Sequence, residues 1–384
     1  MNKQSIDTIH EKNVIIDNII DALQSKQHFL LLGHVNPDED CIASMVAFAL
    51  IVSKFSKKAT VYLRGKVHEH CLYLLNICTH NAIRCSGSIE EGGEPIDALV
   101  LCDTPKPSMI DAGPEVKELI DNPAIVRIEI DHHIGSDSRY FGDEGYRLVM
   151  EANSASELVG LIALKLAKRD DLLRRYNITT LLTRNIVLSV LTGIVGDTNM
   201  GRFIKSKREK RYYDIFSDLY NSMLKGDTIK STNLTNKEDV FREIQRLSAK
   251  EEQCLHFILD KKKFSRSIGY VALNRAHMDY LHGEFDNETI VSVSRSIADH
   301  LAEESRRMGM VAYDDSMNTG LAQFRIRRGQ AFKSFDLRRV LDIFSIDDGG
   351  GHEGAIGFRL GMSRVGDIET FVEGLVEGIE NVIS

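Results

Sequence analysis

The stretch HFLLLGHVNPDEDCIAS, residues 28–44, decides the fold of the chain's first half. The apolar run Phe29–Leu32 reads as a buried strand of a parallel sheet. The run CIASMVAFALIVSKF, residues 41–55, is long enough for a helix. Between them stand His34, Pro37, Asp38 and Asp40. Pro37 stiffens the turn and blocks simple continuation of the helix. The pattern is therefore strand, polar turn, helix, with one imidazole and the carboxylates of Asp38 and Asp40 gathered at the strand's carboxyl end.

Three further apolar runs repeat the theme: ATVYLRG at 59–65, DALVLCD at 97–103 and AIVRIEIDHH at 124–133. Ahead of them, Ile6, Ile9, Ile15, Ile19, Ile20 and Leu23 recur at helical spacing. Strands alternating with helices predict a doubly wound α/β fold with a parallel sheet. Ligands of such sheets bind beyond the carboxyl ends of the strands. His34, Asp103 and Asp131 all stand where a predicted strand ends. Residues 154–200 read as helical, and residues 205–264 as a polar helical connector. From 265 onward a smaller α/β unit is predicted. It has strands at IGYVALNR, GMVAYD, LAQFRIRR and AIGFRL and helices near 287–305 and 366–382. The chain thus divides into 1–204, 205–264 and 265–384, and its 384 residues fit two cores of roughly 100–200 residues.

The formal net charge is -8, which argues against tight binding of long duplex through phosphate contacts. The six cysteines include no C-x-x-C pair, so they read as reduced, buried thiols. The first residues lack an apolar leader, and no run approaches the ~20 apolar residues of a membrane span. A cytoplasmic location without membrane association is the expectation. The Walker A lysine motif is missing, and the G-x-G-x-x-G spacing at Gly349–Gly354 is followed by a predicted strand and not by a helix, so dinucleotide cofactors and ATP are poor candidates.

The polar residues at element ends carry the chemistry. His34, Asp38 and Asp40 form a mixed imidazole and carboxylate set, which suits Mn²⁺ or a similar divalent ion. Asp38 and Asp40 would equally serve as helix caps. Asp103 ends an apolar run, where a carboxylate is costly unless a cation or donors meet it. In Asp131-His132-His133 the two imidazoles point in different directions, and Asp131 can orient one of them. Asp197 follows an apolar helix in TGIVGDTNMGRF. In the second unit, Gly349-Gly350-Gly351-His352 reads as a glycine-rich loop able to bring backbone N–H groups close to a phosphate or base.

Taken together, His-x-x-x-Asp-x-Asp, a strand-end Asp, Asp-His-His and Asp-Thr resemble the motifs of the DHH phosphoesterase family. GGGHEGAIG at 349–357 resembles the glycine-rich motif of the DHH-associated substrate domain. SASELVG at 154–160 looks like the family's helix start after the third motif. The resemblance implies two divalent ions, with Mn²⁺ expected and Mg²⁺ or Co²⁺ open. It implies His34 and Asp38 on one ion, Asp40, His132 and Asp197 on the other, and Asp103 between them. It assigns His133 to the substrate phosphate or leaving group, with Asp131 behind it. Arg325, Gly349, Gly350, Gly351 and His352 would bind substrate.

Three positions depart from the family pattern: Glu39 replaces a usual Gly, Cys41 a common Ala, and Asn199 a usual Gly. Glu39 is expected to face solvent. The implied activity is hydrolysis of a short nucleotide by two-metal activation of water. Nanorna, pAp and cyclic or linear dinucleotides are the substrates to consider. A pyrophosphate or polyphosphate hydrolase and a non-catalytic nucleotide sensor are the alternatives. A homodimer is compatible with the sequence, which leaves oligomeric state open.

Overall fold

The computed structural model describes residues 2–89, 94–135, 137–223, 234, 236–244, 247–329 and 331–383. The chain forms two compact units, Met1–Arg246 and Leu247–Ser384.

The first unit begins with α1 (Ile9–Ser25), capped by Thr8, whose hydroxyl accepts from Glu11 N–H. Then follow β1 (His28–Leu32), α2 (Glu39–Lys54), β2 (Lys58–Tyr62), α3 (Leu72–His80), β3 (Arg84–Ser86) and β4 (Ala98–Cys102). Next come α4 (Pro114–Ile120), β5 (Val126–Asp131), β6 (Arg147–Val149), α5 (Ala155–Leu166) and α6 (Asp170–Arg175). The unit closes with α7 (Arg184–Thr198), α8 (Lys207–Met223) and α9 (Lys237–Ile244).

The six strands pair in the order β3-β2-β1-β4-β5-β6, and every pairing is parallel. Alternate residues of β1 feed opposite faces, as the period of two requires. Phe29 and Leu31 join the larger core with α2, α5 and α7, while Leu30 and Leu32 join a smaller core that includes Val116 of α4. This two-sided burial explains why the strands read as continuous apolar runs. The strand order reverses between β1 and β4. That is the topological switch point, where the diverging crossovers leave a crevice beyond the strand ends. His34 follows β1 and Asp103 follows β4, so the two residues flank it.

The second unit contains α10 (Ala249–Leu259), β7 (Lys263–Phe264), β8 (Ile268–Leu273), α11 (Arg275–Glu284), α12 (Asn287–Ser305) and β9 (Met308–Asp315). It continues through β10 (Leu321–Arg328), α13 (Arg338–Ile343), β11 (Gly349–His352), β12 (Ala355–Gly361), α14 (Met362–Val365) and α15 (Ile368–Ile383). Its sheet runs β11-β12-β10-β9-β8-β7, antiparallel except for the β8–β9 pair.

Local details differ from expectation. The segment 205–264, expected as a connector, is divided: α8 and α9 lie in the first unit and α10 in the second. Tyr213, Phe216 and Tyr220 of α8 and Val240 of α9 are buried in the larger core, so these helices are part of it. Gly349–His352, expected as a loop, form a strand paired with β12. No helix among the described residues is long and apolar enough to cross a membrane.

Candidate metal centre

Four segments of the first unit converge at the switch point. The loop after β1 is pinned by Val35 N–H, which donates to the Met109 carbonyl at 2.8 Å. His34 Nδ1 lies 2.8 Å from the Val35 carbonyl, so it donates there and turns Nε2 inward. That Nε2 is 3.8 Å from Asp38 Oδ1 and 3.8 Å from Asp103 Oδ2. His132 repeats the arrangement. Its Nδ1 faces the Ala152 carbonyl at 3.4 Å, and its Nε2 lies 3.3 Å from Asp103 Oδ1 and 3.2 Å from Asp197 Oδ2. Asp103 therefore presents one oxygen to each histidine.

Asp38 caps α2, its carboxylate accepting from Cys41 N–H at 3.2 Å. The cap leaves the same carboxylate beside His34, so capping and ligation are compatible. Asp40 is held differently. It is 1% exposed and accepts from Ala155 N–H at 2.6 Å and Ser156 N–H at 2.9 Å, at the start of α5. Free amides and the positive helix end both favour an anion there. Gly193 of α7 faces this carboxylate, and a Cβ there would overlap Asp40 Oδ1 and Ser156 Oγ. The cradle for Asp40 thus needs a residue without a side chain. Asp197, expected just beyond a helix, lies in the last turn of α7.

Ligand atoms fall into three groups, each mutually within 4.8 Å: His34, Cys41 and Asp103; Asp103, His132 and His133; and Asp40, His132 and Asp197. These groups could hold a metal ion. A model of the DHH family's N-terminal domain matches residues 28–194, which contain five of the six expected ligands. Residues 28–194 belong to the DHH family. DHH proteins are phosphoesterases.

The chain resembles an exopolyphosphatase-related protein from Bacteroides fragilis at 15% identity and a TM-score of 0.62, over 96% of this chain and 97% of that one. RecJ from Thermus thermophilus, solved with Mn²⁺, matches at 14% identity and a TM-score of 0.43, over 98% of this chain and 55% of that one. A pGpG-specific phosphodiesterase from Vibrio cholerae matches at 13% identity and a TM-score of 0.39, over 93% of this chain and 99% of that one. No curated protein matches this chain in sequence.

Two further observations bear on whether these residues suit a cation. Asp103 Oδ1 is buried and has no hydrogen-bond partner, so a full acceptor faces the crevice unsatisfied. The Asp40 carboxyl is pushed up to about 7, by burial first and by the charge of Asp103 next. Asp197 is raised for the same two kinds of reason, burial and then Asp40. The carboxylates raise one another although His132 stands among them, so they carry an excess of negative charge that a divalent cation would offset. The donor set fits a hard or borderline ion.

His133, whose Nδ1 lies 3.5 Å from Asp103 Oδ1, is held differently from the other two histidines. Its Nδ1 bonds Asp131 Oδ1 at 2.8 Å, and its backbone N–H donates to the same oxygen at 3.1 Å. Its side chain is 40% exposed, so Nε2 is available to a substrate. Burial alone would raise the Asp131 carboxyl. The bond from His133, with the charges of His133, Lys3 and His132, outweighs burial and holds it below the usual carboxylate range.

Several contributors escaped the motif reading. Cys41 joins the His34 cluster, one residue past Asp40 on the first turns of α2. Glu39, expected to face solvent, meets His70 instead, with Oε1 2.9 Å from Nε2. Asn199 ends α7 at φ +45°, a left-handed conformation that Asn tolerates better than most residues, so it stands in for the usual glycine. Lys3 reaches Asp131 from the far end of the sequence. SASELVG did carry a signal for the Asp40 cradle, since a helix start is an anion site.

In the second unit, Arg325 on β10 stands opposite Gly357 of β12, which stands opposite Gly350 of β11. Residues directly opposed across antiparallel strands share a face. Arg325 therefore adjoins a floor two strands wide with no side chains. A Cβ on Gly350 would meet nothing within 4 Å. Arg325 Nε is buried without a hydrogen-bond partner. Gly351 has φ +137°, and a Cβ there would strike the Ala355 carbonyl. Gly349 lies in the same strand but faces Phe358 and Leu341, away from this floor. His352 pairs with Ala355, and its side chain lies outside the described residues.

Proposed function

We propose that this chain is a divalent-metal-dependent phosphoesterase that hydrolyses short nucleotides. The observation that carries the reading is the shared Asp103 carboxylate, with one oxygen toward His34 and the other toward His132. Such a bridge suits two ions, Mn²⁺ being the expected pair. His34, Asp38 and Asp103 would hold the first, with Cys41 beside them. Asp40, His132, Asp197 and Asp103 would hold the second. When bound, the ions supply positive charge that activates water and stabilises the departing oxygen.

The chain's own residues do the rest. The carbonyls of Val35 and Ala152 keep Nδ1 of His34 and His132 protonated, so each Nε2 lone pair is directed at the centre. The α5 amides keep Asp40 in place. Asp131 fixes His133 with Nδ1–H toward itself, which directs Nε2 to the substrate. A protonated His133 can hold a phosphate oxygen at Nε2 and pass its proton to the leaving oxygen. In the second unit, Arg325 over the Gly357–Gly350 floor suits a ligand that is anionic and flat, as a nucleotide is.

The test is a Mn²⁺-supplemented panel of pApA, pAp, cyclic di-AMP, pyrophosphate and polyphosphate, with Asp103→Ala as control. Release of AMP or phosphate from a nucleotide, lost in the control, is the expected result. Turnover of pyrophosphate or polyphosphate with inert nucleotides decides for the alternative hydrolase. Metal loading without turnover of any substrate leaves a nucleotide sensor.

A further inference from the structure

The start of the chain is sewn onto the third motif. Ile6 N–H donates to the Val149 carbonyl at 3.0 Å, at the end of β6. Gln4 N–H donates to Tyr140 Oη at 2.8 Å, and Tyr140 Oη–H returns a bond to the Gln4 carbonyl at 3.2 Å. Lys3 N–H donates to Ser138 Oγ at 3.3 Å, and Asn2 Oδ1 accepts from Arg139. Residues 2–6 therefore form a strap along the segment that follows Asp131-His132-His133.

The strap delivers one side chain inward. Lys3 is 1% exposed, and its side chain is fully buried. Its ammonium donates to the Thr104 carbonyl at 2.6 Å and to Asp131 Oδ2, and forms an ion pair with Glu129 Oε1 at 2.8 Å. A buried ammonium is sustained only by such partners. Two of the partners adjoin the centre, and the third stands beside one of them. Thr104 follows Asp103. Glu129 and Asp131, two apart on β5, project to one face. The remaining oxygen of each carboxylate is already engaged. Glu129 Oε2 accepts from the N–H groups of Phe141 and Gly142, and Asp131 Oδ1 serves His133.

We infer that Lys3 is a positioning residue for His133. By holding Asp131 Oδ2 and neutralising Glu129 beside it, Lys3 fixes the carboxylate plane so that Oδ1 meets both His133 Nδ1–H and His133 N–H. Without the ammonium, two neighbouring buried carboxylates repel one another, and Asp131 is free to turn. His133 then loses its fixed tautomer. Lys3 touches no side chain of the metal ligands, and His34, His132 and Asp40 have supports of their own, so their grip on an ion is expected to survive its loss. This inference rests on the phosphoesterase reading for its kinetic consequence, and on geometry alone for the tautomer.

The experiment compares the full-length wild type with Lys3→Met and Lys3→Ala, each folded by circular dichroism. The expected result for Lys3→Met is a kcat at least tenfold lower, with KM and calorimetric Mn²⁺ affinity within twofold of wild type. In Lys3→Ala, n-propylammonium replaces the missing atoms, and saturable recovery of kcat is expected, with none from tetramethylammonium. In parallel, ¹⁵N NMR of the Mg²⁺-treated proteins reads the His133 ring. The Nδ1–H tautomer is expected in the wild type and a tautomer mixture in Lys3→Met. An unchanged kcat with an unchanged tautomer overturns the inference. So does a joint collapse of kcat, KM and Mn²⁺ affinity without amine rescue, which marks a merely structural lysine. If the wild type hydrolyses no member of the panel, the functional reading fails, and the tautomer comparison still decides the role of Lys3.

Discussion

Asp103 Oδ1 lies 3.3 Å from His132 Nε2, yet it is buried and accepts no hydrogen bond. Asp103 also has φ +49°, a costly conformation for a residue with a side chain. Strain and an unsatisfied acceptor at one residue are repaid together if a cation binds there. Replacement by Asn keeps the shape but removes the charge. Asp103→Asn should lower Mn²⁺ stoichiometry from two to one or none by calorimetry. Turnover should fall by more than the roughly 10–100-fold typical of outer-shell changes. Unchanged stoichiometry would remove Asp103 from the bridge.

Gly193 tests the cradle around Asp40. Within a helix, Gly→Ala ordinarily stabilises by about 1 kcal/mol. Here the added methyl overlaps Asp40 Oδ1 and Ser156 Oγ, and overpacking costs about 1–3 kcal/mol. The steric cost should prevail. Gly193→Ala is expected to melt lower than wild type and to show a smaller rise in Tm on adding Mn²⁺. A higher melting temperature with a full Mn²⁺ response would show that the cradle has room to spare.

The chelator-treated protein should lose stability as pH rises. Asp40 in the folded chain is pushed up to about 7, against roughly 3.9 unfolded. Between those values the folded state binds more protons than the unfolded state, so stability falls with increasing pH. His34 is raised too and acts in the same sense: burial opposes its charge, but the Asp38 carboxylate beside it favours the imidazolium. Its stabilisation is complete below the unfolded value near 6.5 and fades as pH climbs toward the folded one. Asp131 is lowered, so its contribution is lost only in acid and does not compete above pH 5. Urea denaturation with EDTA should therefore give a lower midpoint at pH 8 than at pH 5.5, and Mn²⁺ should reverse the order. A metal-free midpoint that rises with pH contradicts this electrostatic account.

Gly350 separates folding from binding in the second unit. Its position meets nothing within 4 Å, so Gly350→Val fits the strand. Glycine inside regular structure costs about 0.5–1 kcal/mol, and valine favours strands, so stability should hold or rise slightly. The new side chain would occupy the floor beside Arg325. Weakening of AMP binding by tenfold or more in equilibrium dialysis, with an unchanged melting temperature, is the expected pairing. Unchanged AMP binding would move the nucleotide away from this face.

The sequence by itself determined the α/β class, the four central strands and the polar residues at their ends. These are local properties: an apolar run of strand length, a proline-stiffened turn and an acid at a strand terminus each declare themselves within a few residues. The short edge strands β3 and β6 stayed hidden because three residues carry too little periodicity. The family resemblance implied which polar residues share a centre; tertiary structure alone decided how each is held. Asp40 is seated by amides 115 and 116 residues away, and Asp131 by a lysine 128 residues away. Lys3 is a lone cation in a polar segment, with nothing local to mark it as buried. Its burial follows from the strap pairing with residues 138–149, which bring two carboxylates and a carbonyl to one point. Spacing in sequence sets which faces residues share within one element, whereas contacts between elements depend on the assembled sheet and the helices packed on it.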